Sequence, residues 1–318
     1  MIGINISPLN SGVGKYADDI NKIIPVYSYI TDKNKLNYNY TGTKMYGIYP
    51  LITTGWAINN YLIPLYLKLK NIKSQYVHLL MPINNTNLKG IVTIHDLYFV
   101  HRNKYSEKYF YLLYKKFHRW LILTPSEFTK NELIKYFKYD EEQIRVVPLS
   151  INEWKFYNIH SEKKIYDVIT VGDGMYKHNY EISLLCHNNN LSHIHVGKDN
   201  ICNTTRRVVN IANEDLNYLY NFSTVAIRYS DIEGFGIPAI ESTFAGTPII
   251  LKRLPVFEEI MGENYPLFVD DIKEIPEKIK EAKEFKINSY FNAEWFKKYS
   301  LTTFINNMRS IYNEYGDN

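Results

Sequence analysis

Short β-branched runs alternate along this chain with stretches of helical spacing. Residues 1–7 alternate apolar and polar positions and predict a first strand. A glycine-containing turn follows at 10–14, and 15–24 predicts a helix. Residues 91–94 and 120–124 are apolar runs that stop at His95-Asp96 and Pro125-Ser126. Residues 128–137 have helical spacing with Ser126 placed to cap them, and 144–147 predict a strand stopped by Pro148. A second series predicts strands at 167–171, 193–196, 208–211, 224–228 and 249–250, with a helix at 214–220. The last forty residues are mostly helical in pattern. Alternation of this kind predicts an α/β architecture with parallel sheets. It divides the chain into two halves, 1–150 and 151–300, joined near 149–157. A cleft between two such halves is the expected ligand site, because strand carboxyl ends and helix N-termini converge there.

Composition narrows the class. The chain has 318 residues, 45% of them hydrophobic and 22% charged, enough to bury a large core without disulfide staples. Its two cysteines, Cys186 and Cys202, form no framework and read as thiols in a reducing compartment. No run approaches 18 apolar residues, and the first residues lack the basic and apolar regions of a signal peptide, so a cytoplasmic protein is expected. A net charge of +4 is too mild for a nucleic-acid footprint.

The most informative stretch is Glu233-Gly234-Phe235-Gly236-Ile237-Pro238-Ala239-Ile240-Glu241. Proline favours the first turn of a helix, so a helix is predicted to start near Pro238. That places Glu233 in the preceding loop and Glu241 about one turn inside. The glycines let backbone approach a ligand, and the helix start offers N–H groups to an anion. The parts suit a phosphorylated sugar: amides for phosphate, one carboxylate for sugar hydroxyls, the other for a ribose diol. For a lone pair of glutamates, exposed acids in a loop and on a helix would be the simpler explanation.

The residues around the pair strengthen the first alternative. Glu233 to Glu241, followed by Ser242-Thr243-Phe244-Ala245-Gly246-Thr247-Pro248, resembles the E-x7-E signature of retaining glycosyltransferases of the GT-B fold, and of glycosyltransferase family 4 in particular. Ser11-Gly12-Val13-Gly14-Lys15-Tyr16 resembles the family's N-terminal glycine loop, and Thr93-Ile94-His95-Asp96-Leu97 its His-Asp strand end. Thr124-Pro125-Ser126-Glu127-Phe128-Thr129-Lys130 and Val171-Gly172 with Lys177-His178-Asn179 resemble two further segments. The resemblance implies two Rossmann-like domains facing each other across a cleft. The N-terminal domain, 1–150, would serve the acceptor, and 151–300 the donor. Residues 301–318 would cross back onto the first.

It also implies roles. Glu233 would hold donor-sugar hydroxyls and Glu241 the nucleotide ribose. Lys177 would neutralise the diphosphate, with His178 or Arg228 as further cations and the amides of Phe235, Gly236 and Ile237 helping. Gly12 and Gly14 would bring backbone N–H groups to the phosphates, and His95 would line the sugar and acceptor side. The implied reaction moves a hexose, mannose or glucose, from GDP-mannose or UDP-glucose to a hydroxyl of a glycan, lipid or glycoprotein, with anomeric retention. No cofactor and no metal are expected: cationic side chains and helix dipoles take that place, and Asp18-Asp19 and Asp270-Asp271 read as solvated pairs. One departure stands out. Asp173 occupies a position where many relatives carry arginine, and an acid there weakens diphosphate binding unless it turns away.

Two alternatives of other classes follow from the same residues. A binding module that kept the fold would take up nucleotide without turnover. A transferase acting on nucleic-acid bases would bind DNA in a strongly salt-dependent way, against which the low net charge speaks. Residues 105–120 hold Lys108, Lys115, Lys116, His118 and Arg119 among seven aromatics. They form either a basic face for peripheral contact with an anionic membrane or an ordinary segment with its aromatics in the core. The second is the simpler expectation.

Overall fold

The computed structural model describes residues 1–5, 12–30, 43–46, 76–82, 90–101, 108 and 111–316. Residues 6 and 7 of the first predicted strand, 10 and 11 of the predicted glycine turn, and 105–107, 109 and 110 of the basic aromatic stretch lie outside these. The chain forms two compact units: Met1–Leu149 with Thr302–Asn318, and Ser150–Leu301. Each is built on a parallel sheet, and the chain has an α/β GT-B-like fold, with two Rossmann-like domains and a C-terminal helix.

In the first unit the strands are β1 (Ile2–Asn5), β2 (Val26–Ile30), β3 (Thr43–Tyr46), β4 (Val77–Leu79), β5 (Gly90–Thr93), β6 (Leu121–Thr124) and β7 (Ile144–Val146). Their order is β3-β2-β1-β4-β5-β6-β7. Every residue of β4 and β5 is buried, as expected for strands covered on both faces. Helix α1 (Gly12–Asn21) follows β1, and α2 (Glu127–Phe137) follows β6. Ser126 caps α2 by accepting from the Thr129 amide at 3.1 Å, and Lys138 closes it in the left-handed region.

Where the glycines of 12–14 predicted a turn, the structure has the first turn of α1. Three glycine or valine residues at a helix start cost little, because the first amides make no intrahelical bond in any case. The C-terminal helix α8 (Leu301–Gly316) packs on this unit. Tyr312 meets His78 at 2.7 Å, and the Tyr315 hydroxyl donates to the Gly90 carbonyl at 3.1 Å.

The second unit has β8 (Tyr166–Val171), β9 (His193–Val196), β10 (Arg206–Val208), β11 (Ser223–Arg228), β12 (Ile249–Lys252) and β13 (Phe268–Val269). Their order is β10-β9-β8-β11-β12-β13, all parallel. The connecting helices are α3 (Asn179–Asn188), α4 (Asn213–Asn221), α5 (Ile237–Phe244), α6 (Pro255–Met261) and α7 (Ile275–Glu284). The strand order reverses between β8 and β11. In open parallel sheets, ligands bind outside the carboxyl ends at that point.

In the basic aromatic stretch, Leu113, Tyr114, Phe117 and Trp120 are buried, and Lys115, Lys116, His118 and Arg119 are exposed. The described part thus has three of its aromatics, Tyr114, Phe117 and Trp120, in the core and its cations in water, while Tyr111 is exposed. Both cysteines are free.

Candidate functional site

The carboxyl ends of β8 and β11 carry two cations toward one point. Gly172, just past β8, has a φ of 90°, a conformation that suits glycine. A Cβ placed on it would lie 3.0 Å from Lys177 Nζ and 3.5 Å from Arg228 Nη1. The missing side chain therefore leaves a space between two positive groups. Lys177 enters it from the turn before α3, and Arg228 from the last position of β11.

Arg228 is 5% exposed. Its Nη1 donates to the Val171 carbonyl at 2.7 Å and its Nε to Glu233 Oε1 at 2.6 Å, and Nη2 also contacts that oxygen. The Ser230 hydroxyl donates to the same oxygen at 2.9 Å. All described contacts to the Glu233 carboxylate thus go to Oε1. Burial and the neighbouring Arg228 push the Lys177 ammonium down to about 8, against the opposing pull of Glu233, Asp173 and Asp199.

His178 was a further candidate for this cation cluster, and the structure places it elsewhere. No atom of His178 comes within 4 Å of the open point at Gly172. Its Nε2 instead meets Asp231 Oδ2 at 2.8 Å, and Lys252 bonds the other oxygen at 2.7 Å. The Asp231 amide donates to the Tyr176 carbonyl at 2.9 Å, so these groups staple the turn before α3 to the loop after β11. That loop is the one that carries Glu233.

Helix α5 starts at Ile237 with Pro238 in its first turn, as the sequence predicts. Gly236 precedes it with a φ of 89°, and a Cβ there would lie 2.4 Å from Phe257 Cε1. Gly236→Ala is therefore expected to cost about 1–3 kcal/mol from the backbone conformation alone, read as a lowered urea midpoint. The Phe235 ring is buried against Tyr299, with centroids 6.0 Å apart, so its side chain is a packing group. Its amide and those of Gly236 and Ile237 stand at the helix start, where no side chain caps them. Glu241 lies on α5, 2% exposed, and accepts from the Tyr220 hydroxyl at 3.3 Å. Both Glu241 and Arg228 act electrostatically on that phenol.

In the first unit, His95 stands just past β5 and is half-buried. Its Nε2 donates to the Leu80 carbonyl at 2.9 Å, which fixes the proton there and leaves Nδ1 as an acceptor. Burial pushes its pKa down to about 4, partly opposed by the Leu80 bond, so the ring is neutral at pH 7. Tyr16 of α1 packs edge-on against it at 4.9 Å and meets the Thr93 hydroxyl at 2.9 Å. Thr93 meets His78 Nε2 at 2.7 Å. Gly12 is exposed and Gly14 buried in the first turn of α1.

Asp173 turns toward the end of β9. Its Oδ1 accepts from the Lys198 amide and, at 3.1 Å, from the Asp199 amide. His195 and Asp199, which carry no marked signal in the sequence, come together with it: their ligand-capable atoms all lie within 4.8 Å of one another. The available clue was His193-Ile194-His195, whose period-two spacing puts both imidazoles on one face of β9.

Residues 60–154 match the family described as Glycosyltransferase Family 4. The chain is similar to the O-antigen chain mannosyltransferase RfbU of Salmonella typhimurium, 26% identical over 234 residues. That match covers 61% of this chain and 60% of the Salmonella protein. In three dimensions it is similar to a glycosyltransferase of Rickettsia africae, with a TM-score of 0.71 at 17% identity, covering 98% of this chain and 97% of that one. It is also similar to sucrose-phosphate synthase of Thermosynechococcus elongatus, with a TM-score of 0.78 at 14% identity, covering 100% and 99%. At these identities the two structures speak for the fold.

Proposed function

We propose that this chain is a glycosyltransferase that moves a sugar from a nucleotide-diphosphate sugar to a hydroxyl acceptor. The observation that carries the proposal is the convergence of Lys177 and Arg228 on the open space at Gly172, at the β8/β11 switch point. Two cations and the amides before α5 suit the two phosphates of such a donor. The match of 60–154 to a glycosyltransferase family and the likeness to a mannosyltransferase favour a hexose, with mannose ahead of glucose, and a glycan or lipid-linked acceptor. Among the described residues no helix is long and apolar enough to cross a membrane.

In the proposed step the bond from the anomeric carbon to the leaving phosphate oxygen breaks. The acceptor oxygen bonds that carbon on the same face, and its proton passes to the departing phosphate. The protein's task is to stabilise charge as it grows on that phosphate. Lys177, Arg228 and the α5 amides do so without a metal on the diphosphate. Glu233, held on Oε1 by Arg228 and Ser230, orients sugar hydroxyls, and Glu241 takes the ribose. His95, neutral and with an accepting Nδ1, serves the acceptor in the first unit.

The test is a thermal-shift panel of UDP, GDP, ADP and their sugars in EDTA. A ligand at 100 times its Kd is expected to stabilise by about 2.7 kcal/mol. A rise with one nucleotide family fixes the base, and no rise with any of them overturns the proposal. Binding should also draw a proton. Near pH 8 Lys177 is partly neutral, and an adjacent diphosphate favours its charged form. Calorimetry in EDTA, in two buffers of different ionisation enthalpy, is expected to show uptake of roughly half a proton at pH 8. Affinity should weaken as pH rises from 7 to 9. Equal heats in both buffers would contradict this role for Lys177. A binding module without turnover is the second reading. It is favoured by the engagement of Glu233 with Arg228, and nucleotide binding without sugar release would establish it.

A further inference from the structure

We propose that Asp173, His195 and Asp199 form a binding site for one divalent transition-metal ion at the carboxyl ends of β8 and β9. His195 is 0% exposed, and its Nε2 is a buried polar atom with no hydrogen-bond partner. Such atoms are rare in folded proteins and call for an explanation. This nitrogen faces Asp173 Oδ1 at 4.0 Å, too far for a hydrogen bond and somewhat wider than the roughly 3.4 Å between two ligands of a tetrahedral ion.

The proton inventory leaves a lone pair on that nitrogen. The single Thr170 hydroxyl bridges His193 Nε2 and His195 Nδ1, both at 2.9 Å. A hydroxyl has one proton to give. If it donates to His193, it accepts from His195 Nδ1–H, and Nε2 is then the bare, metal-ready nitrogen. The opposite arrangement would bury an N–H with no acceptor in reach, the costlier outcome.

The carboxylates are held in place in advance. Asp173 Oδ1 accepts from the amides of Lys198 and Asp199. Asp199 accepts from the Gly174 amide at 3.1 Å on each oxygen, and on Oδ2 from Asn179 Nδ2 at 2.7 Å. Such outer contacts orient the ligands of metal sites. Gly197 keeps the centre open: a Cβ there would lie 2.4 Å from Asp173 Oδ1 and 2.5 Å from His195 Nε2. The Asp173 side chain is 47% exposed, which gives an ion a path in from solvent.

One imidazole and two carboxylates neutralise a dication and suit zinc, cobalt or manganese better than magnesium. Bound there, the ion would clip the loop after β8 to the loop after β9. It takes no part in the proposed transfer step. The ligand atoms now lie within 4.8 Å of one another and must draw together to about 3.4 Å around a tetrahedral ion, a movement that falls to the two loop carboxylates.

The test is equilibrium dialysis of the EDTA-treated full chain against micromolar Co2+ or Zn2+, with metal analysis and the visible spectrum of the cobalt form. One equivalent is expected to stay with the wild type, with d–d bands and a higher Tm. Asp173→Asn, at an exposed position, and Gly197→Ala, at a backbone conformation that alanine accepts, should each bind about a hundredfold more weakly, and so should His195→Gln. Asp173→Asn, on a side chain 47% exposed, keeps the test open if His195→Gln or Gly197→Ala fails to fold. No retained metal in the wild type overturns the proposal and leaves a water between His195 and Asp173. Undiminished binding in Asp173→Asn and Gly197→Ala overturns it as well, since the ion would then sit on other groups.

Discussion

Glu233→Ala is expected to destabilise the second unit by about 3–5 kcal/mol, the usual cost of removing one partner from a buried ion pair. Arg228 and Glu233 have side chains only 5% and 12% exposed. Without the carboxylate, the guanidinium keeps one described acceptor, the Val171 carbonyl, and is otherwise a charge sealed from water. The loss should appear as a lowered urea midpoint with an unchanged slope. Glu233→Gln keeps an acceptor for Arg228 and Ser230 and should cost less. Both variants should lose sugar transfer, because the carboxylate proposed to align the donor hydroxyls is gone. An alanine variant as stable as the wild type would mean that Arg228 has another counterion.

Lys177→Met is expected to act with the opposite sign on the free protein. A lysine whose folded pKa has dropped from the ordinary 10.5 to about 8 is costly to bury in its charged form. That cost is present in full below pH 8 and fades as pH rises from 8 toward 10.5. Replacing the ammonium with an apolar group should therefore leave stability at pH 7 unchanged or raised. Binding of a nucleoside diphosphate should weaken by about 1.5–3 kcal/mol, or roughly ten- to a hundredfold in Kd, the range for a charge-assisted hydrogen bond. Calorimetric titration reads the affinity, and urea unfolding reads the stability. A variant that binds as tightly as the wild type would remove Lys177 from the phosphate site. A variant that loses both affinity and stability would make Lys177 a structural group.

The α/β class and most strands are legible in the sequence, because buried parallel strands are short β-branched runs with turn residues at their ends. Ile144–Val146 and His193–Val196 are of this kind. The edge strand β10 is less so. The apolar run at 208–211 predicted it, yet it runs over Arg206–Val208, with both arginines exposed. An edge strand carries charge on its open side, so hydrophobicity does not mark it. The start of α1 at Gly12 was hidden for a related reason: glycine reads as a breaker, though at a helix start it breaks nothing.

The candidate site divides in the same way. Glu233, Lys177 and the α5 start follow from a contiguous motif and from residues near a strand end. The partners of Glu233 do not. Only folding brings Arg228, Ser230 and the carboxylate together, and only folding takes His178 away to Asp231. The Asp173, His195 and Asp199 group is assembled from two strand ends more than twenty residues apart, a pairing fixed by the register of β8 on β9. No local pattern encodes that register.

The most direct test of the proposed function is to follow GDP-mannose and UDP-glucose by proton and phosphorus NMR with the wild-type chain, Lys177→Met and Glu233→Gln. Release of the nucleoside diphosphate from one donor by the wild type, with the sugar appearing first in the donor's anomeric configuration and neither variant matching it, is the expected result. Binding of both donors with no release over many hours, or release that persists at full rate in both variants, would contradict the assignment of transfer to this site.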